Sequence, residues 1–190
     1  NTSRIGFKGA EDLGNGLKAI WKGEQGVDIA DGGGSWATRN AYIGLAGDWG
    51  TFLYGRHDTP LKISTGKLDL FADRMADYNT TVGFIDRRVN DAIAYISPNM
   101  NGLTLAGAIV PGYDAGFGAD GLADGYSVAA MYSNNGLFLS AAYEDVTDWA
   151  NSPVDIDHWR IGAGYTMNAF SIGFVYEDQD QGGAQADLMQ

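Results

Sequence analysis

The 190-residue chain contains no cysteine, which excludes disulfides and thiolate metal centres. Its two histidines, His57 and His158, are too few for an imidazole metal site and read as ordinary strand-end residues. No stretch reaches the ~18 consecutive apolar residues of a transmembrane helix, although alternating strands can cross a membrane with a much weaker hydropathy signal. Basic residues are scarce: 12 Lys and Arg stand against 24 Asp and Glu, for a net charge of −12. Without clustered cations there is nothing to hold a phosphate backbone, so no nucleic-acid partner is expected. There is no G-x-S-x-G, no P-loop and no H-E-x-x-H, so nothing anchors an enzyme reading. No secretory signal opens the chain at Asn1, so it is expected to be mature, trimmed or partial.

What is present is glycine and aromatic side chains: 28 Gly, 10 Tyr, 8 Phe and 5 Trp, a balance that favours strands over helices. Alternation follows along most of the chain. Ile5 and Phe7 face away from Arg4, Gly6 and Lys8, and Leu17, Ala19 and Trp21 away from Lys18, Ile20, Lys22 and Glu24, with an Asn-Gly turn between. Thr38–Gly47 and Thr51–His57 form a second hairpin, Asp91–Ser97 and Leu103–Val110 a third, and Tyr126–Ser133 and Leu137–Glu144 a fourth. The fifth is the cleanest. Trp159, Ile161, Ala163, Tyr165 and Met167 share a face with Phe170, Ile172, Phe174 and Tyr176, and Arg160, Gly162, Gly164 and Thr166 look the other way. The tail from Asp178 is polar and reads as irregular.

About ten strands result, joined alternately by tight turns and by long loops. All the short turns thus fall at one end, the signature of an antiparallel barrel inserted into a membrane from one side. Strand lengths approach the ~9–11 residues of a tilted membrane strand. The apolar faces carry Tyr126, Tyr143, Trp159 and Tyr176 near strand ends, where an interfacial girdle belongs.

One gap is far longer than the rest. Residues 58–90 carry Asp69, Asp73, Asp77 and Asp86 among Lys62, Lys67, Arg74, Arg87 and Arg88. A loop of this length inside a compact domain points to function, and here it is expected to fold into the lumen and narrow it. A ten-strand barrel is too narrow to hold such a loop, because about eight strands leave room only for side chains. The chain is therefore expected to be part of a larger barrel, in a polypeptide more than about a hundred residues longer.

Three phrases carry a family resemblance: SRIGFKGAEDLGNGLKAIWKGE (Ser3 to Glu24), TRNAYIGLAGDWGTFLYGRHDTPLK (Thr38 to Lys62) and RRVNDAIAYISPNMNGLTLAGA (Arg87 to Ala108). In this order they resemble the Gram-negative trimeric general porins, most closely the β-proteobacterial, neisserial type. The resemblance implies a 16-stranded antiparallel barrel in the outer membrane, of which this chain supplies the second to eleventh strands. It implies a homotrimer in contact with lipid and lipopolysaccharide, a loop folded into each pore, and passive diffusion of ions and small hydrophilic solutes. The family's constriction arginines fall on Arg4, Arg39 and Arg88. Alternation agrees for Arg4, and for Arg88, which shares parity with Asn90 and Ala92; Arg39 shares parity with the apolar Ala41, Ile43 and Leu45. The family's Pro-Glu-Phe loop phrase is missing, so Asp69, Asp73 and Asp77 would stand in for it. Their spacing of four also suits one face of a short helical turn. Arg56, by resemblance, points out of the wall toward a neighbouring subunit.

Guanidinium groups on one wall opposite loop carboxylates would set a transverse field across a wet, low-dielectric-walled lumen. Lys8, Lys18 and Lys22 would line the lumen away from its narrowest point. No cofactor is expected. Asp28, Asp31, Asp120, Asp124, Asp155 and Asp157 offer hard oxygens for loop-bound Ca²⁺, without EF-hand spacing. The competing reading is an adhesive or carbohydrate-binding β-barrel of the cell surface, which has no need of the long loop or its arginine partners.

Overall fold

The computed structural model describes residues 3–28, 36–111, 121–146, 156–181 and 185–189. Eleven strands form one antiparallel sheet in strict sequence order: β1 (Arg4–Gly14), β2 (Leu17–Gly26), β3 (Ala41–Gly47), β4 (Gly50–Asp58), β5 (Arg88–Ile96), β6 (Leu103–Val110), β7 (Gly125–Asn134), β8 (Leu137–Val146), β9 (Ile156–Met167), β10 (Phe170–Gln181) and β11 (Gln185–Met189). Two short helices, α1 (Pro60–Thr65) and α2 (Tyr78–Thr81), lie between β4 and β5. No described helix is long and apolar enough to cross a membrane.

The ten strands expected from alternation are present, and an eleventh extends them. Residues 178–181 continue β10, and Gln185–Met189 pairs with it from Tyr176 to Asp180. The polar composition of the tail hid this strand. Only residues 182–184 join it to β10, a short connection at the end where the others are long.

Local chemistry accounts for the turns. Asn15 and Gly16 take φ 52° and 77°, the pair of positive values that a two-residue hairpin turn requires. Asn135-Gly136 closes β7–β8 the same way, at φ 47° and 82°. Between β4 and β5 the register slips: Gly55 pairs with Ala92, but His57 pairs with Val89. The extra residue lies on β5, where Asp91 adopts φ 53°, and everything before it changes face relative to simple alternation.

The two faces of the sheet differ sharply. Outward stand Phe7, Ile43, Phe52, Tyr54, Val128, Leu139, Ile161, Ile172 and Phe174, all exposed. Tyr126–Tyr143 and Trp159–Tyr176 are ring pairs at 5.9 Å and 5.2 Å, near the long-loop ends of their strands. The inner face holds small residues: Leu61 of the 59–87 segment packs on Ala106, Ala129 and Ala142, and Leu53 on Ala94 and Ala108.

That segment shows that the sheet curls. Leu68 lies on β10, its carbonyl oxygen 3.4 Å from where a Cβ at Gly173 would sit, while Asp73 reaches Arg4 on β1 at 2.7 Å. In a flat sheet nine strand spacings would separate β1 from β10 by about 43 Å. The five residues from Leu68 to Asp73 span at most about 18 Å. Both contacts are possible only if the sheet wraps around the loop.

Candidate functional site: the loop and the two walls it touches

The segment leaves the sheet at Thr59-Pro60, where Thr59 caps α1 and proline has no amide hydrogen to offer a strand. It then docks on the inner face of β6–β10 through two leucines. Leu61 is completely buried on Ala106, Ala129 and Ala142, and its amide donates to Ser127 Oγ at 3.0 Å. Leu68 fills a socket made by glycine: a Cβ at Gly162 or Gly164 would sit 2.5 Å from one of its methyl carbons. Phe138 and Val175 complete that cluster. Full burial of each leucine is worth roughly 1.5–3 kcal/mol.

The return of the loop is held by charge. Arg160 on β9 is fully buried, and its guanidinium meets Glu177 Oε2 at 2.5 Å, Asp86 Oδ1 and Thr65 Oγ1 at 2.7 and 2.9 Å, and the Ile85 carbonyl at 3.1 Å. Phe84 lies beneath it, the ring centre 5.3 Å away, and packs edge-on against Tyr78. Glu177 also accepts the Ile85 amide at 3.0 Å and bonds Gln179. A second buried group joins Arg87 to Glu144 at 3.2 Å, with His158 Nε2 3.6 Å from the same carboxylate oxygen. Burial and the Asp86 carboxylate push the Tyr78 hydroxyl to about 12, so it stays a neutral donor toward Asp86.

The opposite wall, β1–β5, is wet. Glu24 on β2 gathers Lys22 at 2.5 Å, Arg39 at 2.8 Å and Arg4 at 3.8 Å. Arg4 also bonds Asp73 at the tip of the loop, both side chains being about two-fifths exposed. Asp58, at the end of β4, gathers Arg88 at 2.7 Å and Lys62 at 3.1 Å, and Asn40 bridges Asp58 and Arg88. In these two clusters cations outnumber carboxylates, although the chain as a whole is strongly acidic.

The three sequence-identified arginines therefore lie on two adjacent acids. Arg39 precedes β3 rather than belonging to it, which frees its side chain from the parity that set it beside Ala41 and Ile43. Arg88 reaches Asp58 by a route that alternation misstates: the β5 bulge puts Val89, not Arg88, with Ala92 and Val110 in the buried cluster. Of Asp69, Asp73 and Asp77, only Asp73 faces an arginine. Asp69 accepts the Phe71 amide and Asp77 caps α2, so both carboxylates serve the backbone. Partial burial holds the Asp69 carboxyl above its ordinary range. Residues 66–77 are turns, with Asp73 at φ 63°, so the helical alternative for these acids is not what forms. Lys8 and Lys18 are exposed on the inner face, and Lys8 sits directly across from Lys22. Arg56 donates to Asn90 at 2.6 Å and to the Thr38 carbonyl at 3.2 Å. His57 lies against the Tyr42 ring at 5.1 Å.

Of the aspartates considered for Ca²⁺, Asp31, Asp120 and Asp155 lie outside the described residues. Asp124 accepts the Gly121 amide and Asp157 the Tyr143 hydroxyl, and no metal-sized group of acids and histidines occurs among the described residues.

Sequence reasoning missed the buried network entirely. Its signal was available: Arg160 and Glu177 lie equally far from the Asn168-Ala169 turn, which makes them cross-strand partners on the inner face. Ser127 and Glu144 are related in the same way across Asn135-Gly136.

Comparison with known proteins agrees with this architecture. The profile of the Gram-negative porin family matches residues 1–189. The major outer membrane protein P.IB of Neisseria meningitidis serogroup A is 33% identical over 184 residues, covering 94% of this chain and 54% of that protein. The P.IB protein of Neisseria gonorrhoeae is 29% identical over 197 residues, with 94% and 56% covered. Among solved structures, the anion-selective porin from Comamonas acidovorans superposes with a TM-score of 0.75 at 22% identity, over 99% of this chain and 61% of that one. Salmonella typhi OmpF gives 0.69 at 20% identity, over 93% and 57%. The chain spans about half the length of the curated relatives it matches.

Proposed function

Because the chain belongs to the Gram-negative porin family, whose seat is the outer membrane, we propose that it forms most of the wall and the constriction of a water-filled channel for passive diffusion of ions and small hydrophilic solutes. The observation that carries this reading is the loop's double engagement. One side is buried against β6–β10 and the other ends in an exposed Arg4–Asp73 ion pair. A loop held this way crosses the enclosed space and leaves a passage bordered by charged, hydrated side chains.

The field across that passage comes from Arg4, Arg39 and Arg88, with Lys22 and Lys62, against Glu24, Asp58 and Asp73. Guanidiniums keep their charge at every relevant pH, and low-dielectric walls focus it. Asp69 and Asp77 add negative charge farther along the loop, and Lys8 and Lys18 line the lumen beside the constriction. Around Glu24, Asp58 and Asp73 five cations meet three carboxylates, so the channel favours anions, in keeping with the selectivity named for the Comamonas protein. Steric width sets the size limit, and no chemistry is performed on the solute.

The functional unit is a homotrimer. The outward apolar rows meet lipid, and lipopolysaccharide in the outer leaflet, while Arg56 points toward a neighbouring subunit. Full-length protein in a planar bilayer should open in groups of three equal steps and show a reversal potential on the anion side in a KCl gradient. A silent bilayer would overturn the channel reading.

A further inference from the structure

Beneath the loop, on the side of the short turns, Lys67, Leu68 and Leu70 roof a cavity of about 300 Å³ whose floor is the inner face of β7–β10. A water molecule takes up ~30 Å³ of the liquid, so the space suits a small solute with part of its hydration shell. One charged side chain lines it, Lys67, and no carboxylate does. Three serine and threonine residues line the floor: Ser133 of β7, Thr166 of β9 and Ser171 of β10. Thr166 Oγ1 and Ser171 Oγ are 3.1 Å apart, and either can turn its hydrogen outward. The Lys67 ammonium is held over the Phe138 ring at 5.4 Å from its centre, and none of the ion pairs among the described residues engages it. In a chain with net charge −12, an acid-free cavity holding a cation beside three hydroxyl donors has the chemistry of an oxyanion receptor.

We propose that this cavity is a binding station for small oxyanions, carboxylate or phosphate, on their way through the pore. The Lys67 ammonium supplies the charge and the Ser133, Thr166 and Ser171 hydroxyls the directional donors. The station is separate from the arginine wall, from which the loop divides it. An anion leaving the Arg4 region meets it before the short-turn mouth. This inference rests on the channel reading.

Conductance against salt concentration tests it, with full-length protein in planar bilayers and potassium phosphate, potassium acetate and KCl as electrolytes. Binding makes the phosphate or acetate conductance level off with concentration while the KCl conductance keeps rising. Lys67→Gln should raise the half-saturating phosphate concentration about tenfold, the scale of one charge-assisted hydrogen bond. Lys67→Arg should keep saturation, and Ser171→Ala should weaken it by a few-fold. The same curve for wild type and Lys67→Gln, in channels that conduct KCl, would overturn the station and leave the channel standing. Failure to conduct in any of the three salts would instead overturn the channel reading.

Discussion

The two sides of the loop use the same functional groups for opposite ends. Toward β8–β10, Arg160 and Glu177 are wholly buried and every guanidinium edge is occupied. Toward β1, Arg4 and Asp73 meet in the open at 2.7 Å, the distance of the covered Arg160–Asp86 pair. Taking two charges out of water is costly, and their attraction offsets that cost only when further hydrogen bonds complete the site, as Thr65 and the Ile85 carbonyl do for Arg160. Such a cluster tolerates little movement. An exposed pair contributes little to stability but keeps its charge open to water. Distance alone would not distinguish them; burial does.

The contrast breaks most readily at Arg160. Arg160→Met leaves Glu177 and Asp86 buried without a counter-charge and should cost about 3–5 kcal/mol, read as the urea midpoint of the folded protein. The double variant Arg160→Met/Glu177→Gln should recover part of the loss. A single variant as stable as wild type would mean that the cluster does not hold the loop. Next comes Leu68→Ala, which empties the Gly162/Gly164 socket and should cost about 2–3 kcal/mol, with faster proteolysis within residues 66–77 as the second readout. Undiminished resistance to protease would show that the charge cluster suffices by itself. Smallest in stability are Arg4→Ala and Arg88→Ala. Arg4→Ala should change unfolding by less than about 1 kcal/mol, and Arg88→Ala by somewhat more because Arg88 is better buried. Both should shift the reversal potential toward cations. An unmoved potential would remove that arginine from the field.

Much of this is legible in the sequence. Val128, Ala130 and Tyr132 opposite Tyr143, Ala141 and Leu139 mark strand identity, face and membrane exposure, because side chains alternate with a period of two and charge in hydrocarbon is costly. The long 58–90 gap stood out by length, and Arg4 by parity. Three features were not readable in that way. The β5 bulge adds one residue, and its only local trace is Asp91 in a left-handed conformation. The eleventh strand has only five residues in a Gly- and Gln-rich tail, too few for a hydropathy pattern to mark it. Arg39 escapes parity because the strand begins two residues later. The loop acids show the same limit: Asp69, Asp73 and Asp77 look alike in sequence, and only packing turns one toward Arg4 and the other two toward backbone amides.

From its residues alone the chain determines an antiparallel sheet, two chemically distinct faces, and a loop too long to be a mere connector. Those follow from near-neighbour physics: turn dihedrals, alternation and the cost of charge in hydrocarbon. Where the loop lies, which arginine is buried and which is wet, and which aspartate meets a cation were decided only when the sheet curled and brought β1 and β10 to opposite sides of one segment. Those pairings join residues 69 and 74 positions apart, and no local rule reaches that far.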